Sequence, residues 1–294
     1  MIDDVVQSLW SEHVAWSETA GRLKSQRTAW RTVVLALTAL GAILQTIAVT
    51  VPWVSWVKLG AGVGTVALAL VPFLVRYFLT SEETSKWLRA RSISEGIKSE
   101  IYTYQAGAEP YTGTDASDVL RRKVRDIRDW GKNIEIERAK IGSPTKPTPP
   151  KLLGDDYLQQ RVYQQINNYY RPNARRNADL AERFRWIEIV MAGLAAVLSA
   201  IATFVGNPGS VTLGPWVAVL TTVGGSITAY AAASRYDFQA TAFFATARQL
   251  EDLALDWQSG GKPVPSKEWS DFVRACEEAI SAENRGWMAK LDEK

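Results

Sequence analysis

The sequence predicts an all-α membrane protein with four transmembrane helices, arranged as two parallel-repeat hairpins with long cytosolic helical extensions. Three observations predict it: apolar blocks of bilayer-spanning length, tryptophans at the ends of those blocks, and a second half that repeats the first. The 294 residues carry 34 Lys+Arg against 31 Asp+Glu, a net charge of +3 that is too small to point to nucleic acid. The apolar residues are gathered into four blocks instead of being spread at helical spacing through the chain.

The first block, TVVLALTALGAILQTIAVTV (residues 32–51), holds no charge over 20 residues. That is about the length at which a helix spans the roughly 30 Å hydrocarbon layer. The second, residues 56–76, contains Lys58 near one end, where a lysine can snorkel to the interface, and stops at Arg76. The third (186–206) and fourth (215–234) are alike, with Glu188 the acid nearest a boundary and a local ion pair with Arg185 expected there.

Tryptophan favours the headgroup level, where its ring is partly apolar and its N–H stays wet. Trp30 and Trp53 bracket the first block, about 34 Å apart along a helix at about 1.5 Å per residue, and Trp56, Trp186 and Trp216 stand at the other boundaries. FLVRYF and ASRYDF close the second and fourth blocks with the same pair, Arg76-Tyr77 and Arg235-Tyr236, predicted anchors at the cytosolic interface.

Basic residues set the orientation. Arg22, Lys24, Arg27 and Arg31 precede the first block, and the segment between the hairpins carries 20 Lys+Arg and 15 Asp+Glu over residues 80–185. The hairpin tips hold only Lys58, so the tips are expected outside and both termini in the cytosol of a cell (inner or plasma) membrane protein. Some thirty polar residues with early acids precede the first block, so the N-terminus is not expected to be a secretory signal. Cys276 is the one cysteine, which rules out a disulfide framework within the chain.

Laid on itself, the chain matches AILQTIA (42–48) to AVLSAIA (196–202) at an offset of 154, the Arg-Tyr pairs at 159, and SDVLRRKVRDI (117–127) to SDFVRACEEAI (270–280) at 153. Residues 1–143 and 154–294 therefore form two copies of one two-transmembrane plan, joined by a Pro-rich linker (144–153) containing Pro144, Pro147, Pro149 and Pro150, expected to be extended. Both copies enter from the same side, so the repeats are parallel. Without a strong breaker between Pro72 and Gly96 or between Gly225 and Gly260, the second and fourth helices are expected to run on as cytosolic stalks.

Catalysis is not predicted. Metal and acid–base chemistry needs converging His, Cys or carboxylates, whereas His13 is the only histidine and the pairs Glu82-Glu83, Asp155-Asp156 and Glu277-Glu278 fit solvated faces. GAGVG (60–64) lies inside an apolar block with no strand before it, where small residues permit close helix contact. No cofactor or metal is implied. Polar groups at membrane depth tend to face other helices or water, which makes Gln45, Ser199, Thr203, Thr221, Thr222 and Ser226 the candidate pore-lining residues, Gln45 foremost. The competing reading of the hydroxyls is a bond back to their own helix. With no ring of charge in the blocks, a hydrophobic gate that opens by wetting fits better than a charged filter.

The segment YLQQRVYQQINNYYRPNARRNADLAERFRWIEIVMAGLAAVLSAIATF, with the closing ACEEAISAENRGWMAKL, resembles the SLATT family, the SMODS- and SLOG-associating two-transmembrane effector domains. The resemblance covers nearly all of residues 155–290, and the first half resembles a divergent second copy. It implies a pore-forming or membrane-perturbing effector of prokaryotic (antiphage) conflict systems, often paired with a cytosolic sensor protein or nucleotide signal; separately, because one chain supplies only four helices, a conducting path through the membrane lipid is expected to need a homo-oligomer. No fused sensor is read in the sequence. The alternative is a membrane-anchored interaction scaffold, in which the hairpins tether cytosolic helices such as RRKVRDIRDWGK (121–132) to a partner. A small-solute transporter has less support, because no broken helix with converging charge is visible.

Overall fold

The computed structural model describes residues 2–51, 55–141, 146–204, 213–261 and 263–292, with side chains described within these ranges from residue 4 to residue 282 except at 55. Among the described residues all regular structure is helical, with the main helices α1 (Ile2–Thr50), α2 (Ser55–Phe78), α3 (Ser81–Gln105), α4 (Ala116–Asp129), α5 (Asp155–Phe204), α6 (Gly214–Ser234), α7 (Tyr236–Gly260) and α8 (Lys267–Asp292), and two short helical pieces, Lys132–Ile134 and Glu135–Ala139, after α4. The order long helix, apolar helix, 25-residue helix, closing helix occurs twice. Each 25-residue helix ends just before a left-handed glycine, Gly107 (φ 58°) or Gly261 (φ 53°), a backbone region that costs glycine little.

The first part of α5 is wound as a π-helix over Leu158–Tyr163 and Gln165–Tyr170. The wider turn puts Tyr157, Leu158, Arg161, Val162, Ile166 and Tyr170 on one buried face at a spacing longer than the α period. Pro172, which has no N–H to donate, follows directly, where the winding returns to α.

The chain divides into two compact units, each drawing on both halves of the sequence: one of residues 1–25, 81–174 and 241–294, the other of residues 26–80 and 175–240. The first unit has two apolar clusters. One joins Leu9, Trp16 and Leu23 of α1 to Ile93, Ile97 and Ile101 of α3 and to Leu120, Val124 and Ile127 of α4. The other joins the π-wound face of α5 to Phe243, Ala247, Leu250, Ala254 and Trp257 of α7, at alternating three- and four-residue steps, and to Trp269, Phe272, Val273 and Cys276 of α8. The basic residues Arg121, Arg122, Lys123 and Arg125 occupy the exposed face of α4.

The described part of the linker, residues 146–153, has no regular structure but is tied down. Leu152 is buried, its N–H donates to the Gln105 carbonyl at 3.0 Å, and Gln105 Nε2 donates to the Pro149 carbonyl at 2.8 Å. Pro144 lies outside the described residues.

In the second unit, α1 and α2 pack antiparallel. Trp30 stacks on Phe78 with centroids 3.9 Å apart, and Gln45 Nε2 donates to the Ala61 carbonyl at 3.0 Å. Gly41 and Gly64 allow this approach: a Cβ on Gly41 would lie 2.5 Å from Leu68 Cγ and one on Gly64 would lie 3.0 Å from Leu44 Cβ. The glycines of GAGVG are thus contact residues where they face α1, at Gly60 and Gly64, while Gly62 faces open space. α5 and α6 run antiparallel in the same way: a Cβ on Gly224 would lie 3.7 Å from Met191 Cβ, and the Phe184 and Tyr230 ring centroids are 5.6 Å apart.

Two expectations need correction. The apolar helices do not continue as stalks: α2 ends at Phe78 and α3 starts at Ser81, while α6 ends at Ser234 with Arg235 in the left-handed region (φ 54°, ψ 41°). Acids in the next first turn, Glu82 and Glu83 in α3 and Asp237 in α7, favour a fresh N-terminus at each break. The two Arg-Tyr pairs are also not equivalent, because Arg235 is the break itself whereas Arg76 lies in the last turn of α2. The uninterrupted helices are α1, of 49 residues, and α5, of 50.

Candidate functional site: the apolar helices and a buried ion pair

Four helices are long and apolar enough to cross a membrane among the described residues, and in their most apolar windows only 6–17% is buried. Leu40, Ile43, Val63, Val66 and Phe73 on α1 and α2, and Ile189, Val190, Leu194, Val197 and Ile201 on α5, are exposed. Side chains of this size gain about 1.5–3 kcal/mol each on leaving water. A continuous bare surface of them is what lipid covers.

The expected pore-lining residues fall into two groups. Gln45 is half-buried and turns its amide to the facing helix, donating to Ala61 and to the Thr65 hydroxyl. Thr203 donates to the Ser199 carbonyl at 2.9 Å, Thr221 to that of Val217 at 3.1 Å, and Ser226 to that of Thr222 at 2.8 Å. Ser199, Thr203, Thr221 and Thr222 stay exposed. Among the described residues no hydrogen bond joins the hydroxyls of α5 to those of α6.

The boundary residues take several environments. Trp56 and Trp186 are exposed, Trp216 is half-buried, Trp30 is stacked on Phe78, and Trp53 lies outside the described residues. Arg76 and Tyr77 are exposed, the Arg235 guanidinium lies 4.4 Å over the Phe238 ring, and Tyr236 stacks on Phe184 at 5.5 Å. Arg185 pairs with Asp237, 3.7 Å away, in place of the expected Glu188.

Glu277 corrects the expectation of a solvated face. It is 3% exposed and accepts both arms of Arg161, from Nε at 2.8 Å and Nη2 at 2.7 Å, with the Tyr157 hydroxyl donating at 3.0 Å. The guanidinium also stacks 3.9 Å from the Tyr102 ring. Burial disfavours the charged form of Arg161, but Glu277 outweighs it and holds the guanidinium protonated. No local pattern announced this pair, since the partner is 116 residues away.

Nearby, His13 Nδ1 donates to the Ser94 carbonyl at 2.9 Å, and the Ser94 hydroxyl donates to the His13 carbonyl at 3.2 Å. Burial, reinforced by the charge of Lys98, lowers the imidazole to about 4, so it is neutral near pH 7. Burial likewise pushes Glu95 up, but Lys98, Arg91 and Arg161 outweigh it and hold the carboxyl below the usual range. Cys276 is fully buried, and burial followed by the neighbouring Glu277 charge drives its thiol far up, which makes it inert. Among the described residues no group of three His, Cys, Asp or Glu is placed to hold a metal.

Two family matches divide the chain. Residues 13–118 match a family described as a protein of unknown function, DUF4231, so the first half matches a different family and not a second SLATT copy. A comparison with curated proteins gives no match, and neither does one with solved structures. Residues 157–287, the π-wound entry, two apolar helices and closing helices, match SLATT_1, the SMODS and SLOG-associating 2TM effector domain 1, and with the bare apolar surface this marks a membrane protein.

Proposed function

We propose that the chain is an oligomeric membrane pore or channel-like effector of a bacterial conflict (antiphage) system, gated from the cytosolic side. The observation that carries this reading is the pairing of four apolar helices, left bare by the chain's own packing, with an effector-domain match over residues 157–287. Each half supplies one hairpin, α1–α2 or α5–α6, with both termini and the packed unit of α3, α4, α7 and α8 on the cytosolic side. The charge distribution supports that orientation, since the lone lysine of the tips, Lys58, faces a flank rich in arginine.

One subunit offers four helices, so a conduit is built by a homo-oligomer in which Ser199, Thr203, Thr221, Thr222 and Ser226 face the axis. Short hydroxyls, those of Thr203, Thr221 and Ser226 bonded to their own helix, give a weakly polar wall suited to a constriction that wets on opening. A cytosolic sensor protein or a nucleotide signal is the trigger. The two halves, 1–143 and 154–294, belong to different family matches but each supplies one hairpin, which would give a dimer pseudo-fourfold character.

The test is expression in a bacterial host with a membrane-potential dye. Thr203→Leu and Thr221→Leu at unchanged protein level should cut depolarisation several-fold, whereas depolarisation and toxicity indifferent to both changes would favour the scaffold. The scaffold keeps a place because of Gln45, whose amide is spent on α2 and so ties the first hairpin together. On that view Gln45→Leu loosens α1 from α2 without changing conductance.

A further inference from the structure

A cavity of about 370 Å³ is lined by Ala178, Glu182, Arg185, Trp186 and Ile189 of α5 and by Asp237 at the start of α7. On α5, Ala178, Glu182, Arg185 and Ile189 recur every three or four residues with Trp186 beside them, so one helix face builds the wall. The upper part is charged and the lower part apolar, and the change falls at Trp186, where the apolar run begins. Asp237 faces the Arg185 guanidinium, and Glu182 lines the same wall one turn before it. Arg185 stands 3.7 Å from Asp237, beyond the 2.7–2.9 Å of a tight charge-assisted hydrogen bond, and both are more than half exposed.

We infer that this cavity binds the headgroup of a zwitterionic aminophospholipid, of the phosphatidylethanolamine type. The inference rests on the membrane assignment above. A primary ammonium has three N–H donors for the Glu182 and Asp237 carboxylates, and the phosphate two carbons away meets the planar fork of Arg185. Trp186 and Ile189 continue below as the surface on which the glycerol and first acyl carbons lie. The charge pattern selects among lipids. A quaternary ammonium has no N–H to give, a headgroup without an amine leaves Glu182 unanswered, and phosphatidylserine brings an extra carboxylate toward a site already holding two.

The test is native mass spectrometry of the full chain released from nanodiscs of equimolar phosphatidylethanolamine, phosphatidylcholine, phosphatidylserine and phosphatidylglycerol. Phosphatidylethanolamine should be retained at least several-fold over the others, and the preference should fall to parity in Glu182→Gln/Asp237→Asn but persist in the control Glu188→Gln. Equal retention by the unmodified chain, or an unchanged preference in the double variant, overturns the inference while leaving the membrane assignment intact. A chain that does not enter nanodiscs overturns both. Soluble phosphoethanolamine added at millimolar concentration should not displace the retained lipid, and displacement would identify a site for a free metabolite instead.

Discussion

Arg161 and Glu277 give the residue scale its sharpest consequence. Both are nearly inaccessible and hydrogen-bonded in two places, so removing one partner strands a buried charge at a cost of about 3–5 kcal/mol. Arg161→Met should therefore lower the melting temperature of the detergent-solubilised protein severely, and Arg161→Met/Glu277→Leu should recover most of the loss, as read by thermal unfolding. A recovery absent from the double variant would mean that the pair contributes more than its charges. His13 supplies a pH dependence with a definite sign. Its folded value of about 4 lies below the ordinary 6.5, so the unfolded chain takes up the proton first as pH falls. Stability from this group is complete above about pH 6.5, declines through the window down to about 4, and levels below it, a loss of up to about 3 kcal/mol at 1.36 kcal/mol per pH unit. Glu95, held low by Lys98, Arg91 and Arg161, adds a further loss below the carboxylate range. Denaturation midpoints at pH 7, 5 and 4 check this, and His13→Asn should flatten the upper part of the decline.

At the scale of elements, close contact between α1 and α2 depends on which glycines face the partner. Gly64→Ile must push Leu44 and the Gly41 carbonyl aside, an overpacking cost of about 1–3 kcal/mol, whereas at Gly62 an added Cβ meets nothing within 4 Å and Gly62→Ile should cost little. Melting of the two variants side by side should separate them clearly, and equal melting would show that the helices do not meet there. The sequence made these apolar helices legible because block length and tryptophan position are local signals. It did not reveal the breaks after α2 and α6, because neither uses proline or glycine: one follows Phe78, and the other is an arginine in the left-handed region. It also hid the inward face of α5, since π winding moves Tyr157, Arg161, Ile166 and Tyr170 off the α period. With Arg161 unplaced, Glu277 had no visible partner and looked like one half of a solvated acidic pair.

For the whole molecule, the contrast between its two units is the central fact. One buries Trp16, Trp269 and Tyr157 completely, in the manner of a protein core in water. The other leaves valine, leucine and phenylalanine bare along helices of bilayer length. A membrane resolves that contrast, and on the proposed reading self-association within it would give the short hydroxyls of α5 and α6 a common axis to face. Ion flux from liposomes containing the purified full chain, with particle size measured in the same preparation, tests this most directly. The account predicts flux carried by an oligomer and reduced several-fold by Thr203→Leu. A protein that inserts as a clean monomer and leaves the liposomes tight would contradict it.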